Sequence, residues 1–234
     1  MVLSAFTKKG IMAEMEKHGM FSIKYRLLFD GRPTYVAMKA TLMEDEQGRH
    51  IVIGVNNIDA QMQREQEFAC HLMDARDKAN RDSLTGVKSK HAFTEAQEQI
   101  DAEIAAGQPR PFAVVFCDLN NLKRVNDSLG HAAGDQLIRE GCSVICGVFK
   151  HSPVYQVGGD EFVVIAHGAD YENVDGLVKT LKETTERHLQ AGGAVIACGM
   201  ARYAGDAGFD PVYARADAEM YEDKKRIKGG RDER

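Results

Sequence analysis

From residue 21 to residue 59 the apolar positions run in short extended stretches broken by turn residues. Residues 21–29 lead into the turn Asp30-Gly31-Arg32-Pro33. Residues 34–43 alternate in part, with Tyr35, Ala37 and Lys39 against Val36, Met38 and Ala40. After Glu44-Asp45-Glu46-Gln47-Gly48 a third run, residues 51–55, ends at Asn56-Asn57-Ile58-Asp59. The pattern predicts a three-stranded antiparallel meander. Such a sheet has one apolar face and needs a cover. Residues 60–80 hold neither Gly nor Pro, and Phe68, Leu72, Ala75 and Ala79 recur at helical spacing. This thin stripe suits either a solvated linker helix or a short coiled-coil seam.

From Arg81 onward the period changes. The turn-rich segment Asp82-Ser83-Leu84-Thr85-Gly86 precedes a helix over 90–106, a strand over 112–117, a helix from about 122 and another over 135–149. Short apolar runs at 154–157 and 162–166 flank Gly158-Gly159-Asp160-Glu161 and predict a hairpin. A helix over 171–189, a strand over 194–201 and a helix over 211–227 follow. Helices alternating with strands around one hairpin predict an α-β sandwich, with helices covering a mixed sheet. The expected organisation is a small module over 1–59, a helical linker over 60–80 and the main domain over 81–234.

Composition narrows the function classes. A formal net charge of −5 over 234 residues offers no broad basic surface for nucleic acid or anionic lipid. Five cysteines, Cys70, Cys117, Cys142, Cys146 and Cys198, match neither a disulfide framework nor a paired zinc knuckle. Cys142 and Cys146 lie one helical turn apart, and core packing is the expected role. A reducing cytoplasm fits this usage. No stretch approaches the ~18 apolar residues of a membrane helix, and residues 1–20 lack the apolar core of a signal peptide. Any membrane anchor of a longer protein would lie outside this chain.

Four places could carry chemistry. Asp118 follows a six-residue apolar strand, where α/β folds usually bind ligands; it is either a helix cap or a metal ligand. Gly158-Gly159-Asp160-Glu161 sets two adjacent acids on a glycine turn, where a divalent cation would relieve their repulsion. The turn equally fits an ordinary hairpin with solvated acids. The run Lys123-Arg124-Val125-Asn126-Asp127 with Gly130, His131 and Asp135 could hold a phosphate and read a base edge, or form a polar loop. Lys224-Lys225-Arg226-Ile227-Lys228 is a phosphate-binding or a solvated charge run.

In this order the blocks resemble the GGDEF-domain family, the diguanylate cyclases. The matching segments are Asp82-Ser83-Leu84-Thr85-Gly86 with Phe93, residues 118–135, Gly158-Gly159-Asp160-Glu161-Phe162, and residues 216–224. The resemblance implies a nucleotidyl-cyclase fold with a palm-like, ferredoxin-like core. It implies that Asp118, Asp160 and Glu161 are catalytic and bind Mg²⁺ or Mn²⁺ with the Leu119 carbonyl, Glu161 being a further ligand or the proton acceptor. Lys123, Lys224 and Lys228 would neutralise the β- and γ-phosphates of GTP. Asn126 and Asp135 would select guanine with His131 nearby, and Gly158 and Gly159 would admit the nucleotide. Cyclic di-GMP would form across a homodimer and pass to downstream receptors. The alternative is an inactive GGDEF domain that binds GTP or cyclic di-GMP as a regulator.

Two departures from the family pattern stand out. The inhibitory Arg-x-x-Asp positions hold Phe149 and Ser152, and an Arg usual two residues before the first glycine is replaced by Gln156. The meander, ending in Asn57-Ile58-Asp59 before a helix, resembles the C-terminal half of a PAS sensor domain in pattern only. Too few residues precede it to build a PAS ligand pocket.

Overall fold

A computed structural model describes residues 8–46 and 48–232. Residues 1–7, part of the opening segment read above, and Gln47, in the second turn of the meander, lie outside the described residues. The chain divides into two compact units, one ending at Asp74 and the other beginning at Ala75.

The first unit is the antiparallel meander expected from the sequence, in the order β1 (Met20–Phe29), β2 (Arg32–Asp45), β3 (Gly48–Asn57). Asp30 and Gly31 both adopt positive φ, 47° and 75°, and close the first hairpin as a two-residue turn. That backbone suits the twist of the flanking strands. Pro33 pairs only with Leu28, because β3 joins β2 from Val36 on, so no ladder donor is lost there. The sequence pattern missed α1 (Lys8–His18). Ile11, Met12 and Met15 of this helix cover Phe21, Ile23, Met38 and Ala40, supplying part of the cover that the meander requires. Ile53 and Val55 remain about half exposed.

Helix α2 (Asp59–Ala79) spans the division between the units and buries none of its side chains. Phe68 and Leu72 of its stripe are exposed. No helix among the described residues is long and apolar enough to cross a membrane.

The second unit places α3 (Lys90–Ala105), β4 (Ala113–Leu119), α4 (Leu122–Leu129), α5 (His131–Val148), β5 (Val154–Gln156), β6 (Glu161–Ala166), α6 (Gly168–Glu172), α7 (Val174–Ala191), β7 (Ile196–Arg202) and α8 (Phe209–Asp232) around one sheet. The strand order is β5-β6-β4-β7, with antiparallel ladders. A parallel bridge from Lys88 to Tyr155 extends the β5 edge. Every residue of β4 is buried, which is why it reads as an apolar run broken only by Asp118. Its alternate side chains serve two cores. Val115, Cys117 and Leu119 pack with Ile138, Cys142 and Ile145 of α5 and Val178 and Leu181 of α7. Val114 and Phe116 pack with Phe93 of α3 and Phe209, Val212 and Ala216 of α8. By the same alternation Asp118 falls on the α3/α8 face.

Helix α8 is seated on β7 by two devices. Added at Gly199, a Cβ would collide with the backbone of α8 at Met220, Ala216 and Glu219, so helix and strand touch main chain to main chain. The outward amides of this edge strand are also consumed by side chains. Ile196 N donates to Thr185 Oγ1 (3.2 Å), Cys198 N to Asp223 Oδ2 (3.0 Å) and Met200 N to Glu219 Oε2 (2.9 Å). Satisfying these donors removes the pairing hazard of an open edge.

Candidate active site

Two strand ends bring the paired acids together. Asp118 near the end of β4 stands opposite Glu161 at the start of β6, and opposed residues of an antiparallel pair share a sheet face. Leu119 N donates to Asp160 O (2.8 Å), tying the glycine turn to the end of β4. Neither Gly158 nor Gly159 adopts positive φ. The reason for glycine at 158 is space: a Cβ there would lie 2.5 Å from Glu161 Oε2 and 3.2 Å from its Cδ. The Glu161 carboxylate folds back over Gly158 and is half-buried, as is Asp160. Gly159 faces open space.

Asp118 is 5% exposed, and Lys224 Nζ on α8 donates to its Oδ2 at 2.6 Å. Its Oδ1 is buried with no hydrogen-bond partner. Burial pushes the Asp118 carboxyl above its ordinary value, Lys224 pulls it back, and Asp160 pushes it further up. Glu161 is likewise raised, first by burial and then by repulsion from Asp160, Asp118 and Asp217. An acceptor oxygen buried without a donor is costly. Asp118, Asp160 and Glu161 are the carboxylates at this end of the sheet that could hold a divalent cation, but among the described residues no group of three or more Asp, Glu, His or Cys side chains is arranged as a metal cage.

Beside these acids lies an open cleft of about 420 Å³. It gathers Lys123 and Arg124 of α4, Lys224 and Lys228 of α8, Leu119, and Asp160. Three of its four cations were expected from the sequence. Arg124 lay in the candidate run without a role of its own, and Asn120 and Asn121, which line the cleft together with Asp127, were not singled out. Asn120 is buried with both side-chain polar atoms unpartnered, and Asn121 takes a left-handed φ of 69°. Their signal was the polar pair directly after an apolar strand.

Asn126 of α4 reaches across to the first turn of α5. A Cβ at Gly134 would overlap the Asn126 side-chain amide, so the missing side chain admits Asn126 against this turn, one residue before Asp135 in the chain. His131 lies exposed at the start of α5.

Gln156 binds the turn from behind. Its Nε2 donates to Gly159 O (3.2 Å), and its Oε1 accepts from Thr85 Oγ1 (2.8 Å). Thr85 in turn belongs to a turn closed on Asp82 Oδ1, which accepts from Leu84 N (3.0 Å) and Thr85 N (2.9 Å).

A family described as diguanylate cyclase, GGDEF domain, matches residues 79–230. The chain belongs to the GGDEF-domain family. Among curated relatives, DgcP of Pseudomonas aeruginosa, named a diguanylate cyclase, is 27% identical over 95% of this chain and 31% of its own length. The probable diguanylate cyclase DgcT of Escherichia coli is 30% identical over 51% of this chain and 27% of its own. PdeR of Escherichia coli, named a cyclic di-GMP phosphodiesterase, is 36% identical over 44% of this chain and 15% of its own. The chain thus spans less than a third of the length of each of these three relatives. Of solved structures, the GGDEF domain of DgcB from Caulobacter crescentus in complex with c-di-GMP is 27% identical, with a TM-score of 0.53 over 63% of this chain and 88% of that one. The same protein's coiled coil and GGDEF domain, at 24% identity, gives a TM-score of 0.61 over 71% and 91%.

In this GGDEF domain the Arg-x-x-Asp positions are taken by Phe149, buried in the core, and Ser152, whose hydroxyl accepts from His167 N (3.4 Å). The position of the missing Arg is filled by the buried Gln156, as a brace rather than a charge.

Proposed function

We propose that this GGDEF domain condenses two GTP molecules into cyclic di-GMP, releasing two pyrophosphates, with a second copy of the chain presenting the second nucleotide. The observation that carries the reading is the partnerless, buried Asp118 oxygen, set opposite Glu161 at the rim of a cationic cleft. Asp118 and Asp160, with Glu161 and the Leu119 carbonyl, would hold Mg²⁺ or Mn²⁺, which when bound screens phosphate charge and acidifies the attacking hydroxyl.

The chain's own residues do the rest. Lys123, Lys224 and Lys228 neutralise the β- and γ-phosphates, and Arg124 adds a fourth cation on the same wall. Asp135 accepts from guanine N1 and N2, and Asn126 reads the base edge next to it, with His131 nearby. The 3′-oxygen of one GTP forms a bond to the α-phosphorus of the other, the bond from that phosphorus to the β-phosphate oxygen breaks, and pyrophosphate leaves. Glu161, with its raised carboxyl, takes the hydroxyl proton, since a base works best with a pKa closer to the working pH. Two such transfers close the ring. One domain holds one GTP, so a two-fold dimer is required. Under this reading the meander is a partial PAS-like sensory module, and the product goes to cyclic-di-GMP receptors elsewhere in the cytoplasm.

Incubation of the chain with GTP and Mg²⁺, read by chromatography, is expected to give cyclic di-GMP, and Asp160→Asn is expected to give none while remaining folded. Full activity in Asp160→Asn would remove the acids from the mechanism. The second reading is a GGDEF domain that binds GTP or cyclic di-GMP without turnover, and the likeness to a GGDEF domain solved in complex with c-di-GMP supports its binding part. Nucleotide binding without product would establish it.

A further inference from the structure

We propose that Cys142 and Cys146 of α5 form an oxidisable dithiol, a modification site for hydroperoxides. The two sulfurs lie 4.0 Å apart. Cys142 is buried, whereas Cys146 is half-buried and lines an open cleft of about 400 Å³ together with Arg81, Lys88 and Lys150. The remaining cysteines lack this combination. Cys117 and Cys198 are fully buried, and Cys70 is exposed and outside the second unit. Burial pushes the Cys198 thiol up to about 12 and the Cys117 thiol up as well. A hydrogen bond from Cys142 lowers the Cys146 thiol, and Cys146 is the one of the two that faces the cleft, so it is the thiol placed to meet an oxidant.

The chemistry balances with a hydroperoxide as oxidant. The Cys146 thiolate attacks the peroxide oxygen, the O–O bond breaks, and a sulfenic acid forms as hydroxide (or alkoxide) leaves. The Cys142 thiol then attacks the Cys146 sulfur, the S–O bond breaks, and water departs with the thiol proton. Two thiols lose two electrons and the peroxide gains them. Cβ atoms four residues apart on a helix are about 5–6 Å from each other, against about 3.8 Å across a disulfide. Closing the bond therefore tightens a turn of α5, and a bond strained in this way is readily reduced again.

The test uses the full chain carrying Cys70→Ser, which removes intermolecular bonds at the exposed thiol. After treatment with hydrogen peroxide and alkylation, peptide mapping without reductant is expected to show a Cys142–Cys146 disulfide, reversed by dithiothreitol, with Cys117 and Cys198 still alkylatable after unfolding. Amide exchange over residues 142–148 is expected to change on oxidation and to stay unchanged in Cys146→Ser. Cys146 driven to sulfinic acid with Cys142 still a free thiol, or both thiols still free after peroxide, would overturn the dithiol. Both readouts are taken without nucleotide and stand apart from the cyclase reading.

Discussion

Asp118 shares one oxygen with Lys224 and leaves the other without a partner, while Asp160, Glu161 and Asp217 crowd the same end of the sheet. Such a cluster costs the fold stability that a bound cation would return. Glu161 shows the sign of the effect. Its carboxyl is raised in the native state, so the native protein holds that proton more tightly than the unfolded chain does. Stability therefore falls as pH rises from the ordinary carboxylate value through the raised one, and the cost is constant above both. Glu161→Gln should raise Tm by roughly 2 °C at pH 7.5, a gain that disappears below about pH 4. Thermal melts across pH check this, and a loss of stability at neutral pH would contradict it. Gly158→Ala is expected to keep the fold but to expel the Glu161 carboxylate from its place, lowering turnover at least tenfold, or ~1.4 kcal/mol in barrier. An active Gly158→Ala enzyme would show that this placement is irrelevant. The sequence made the acids legible because adjacent carboxylates on a glycine turn have no packing use. It could not reveal why Gly158 is glycine, since the collision involves a side chain three residues on, nor that Gln156 acts as a brace, since its partner Thr85 is 71 residues away.

Helix α8 decides where Lys224 stands, and Gly199 decides where α8 stands. Gly199→Ala should force helix and strand apart, cost about 2 kcal/mol or more, and break the Lys224–Asp118 pair. Urea unfolding measures the first effect. An unchanged midpoint would mean that α8 is not seated as described. The strands and most helices were legible because period and turn chemistry agree locally. The stretch read as one helix over 171–189 is instead α6 and α7, divided at Asn173. Helix α1 escaped notice because its apolar residues are few and are interleaved with charges, so only the sheet that it covers gives it a reason to form. The β4 run ends on Asp118 and Leu119 rather than at Cys117, because the pairing with β6 and β7 continues through them.

For the whole molecule the proposed reaction demands two chains. Helix α2 leaves Phe68, Leu72 and Met73 exposed, a stripe that a partner helix could cover. Phe68→Glu with Leu72→Glu is expected to lower the self-association constant at least tenfold by sedimentation, and unchanged association would place the contact elsewhere. With Phe149 and Ser152 at the inhibitory positions, added cyclic di-GMP should inhibit only weakly, as initial rates would show. The most direct test of the central claim is the rate of cyclic di-GMP formation from GTP and Mg²⁺ over a wide range of chain concentrations. The account predicts product at half the molar amount of pyrophosphate, with activity per chain rising as concentration increases and then levelling off. GTP bound at every concentration with no cyclic product would contradict it.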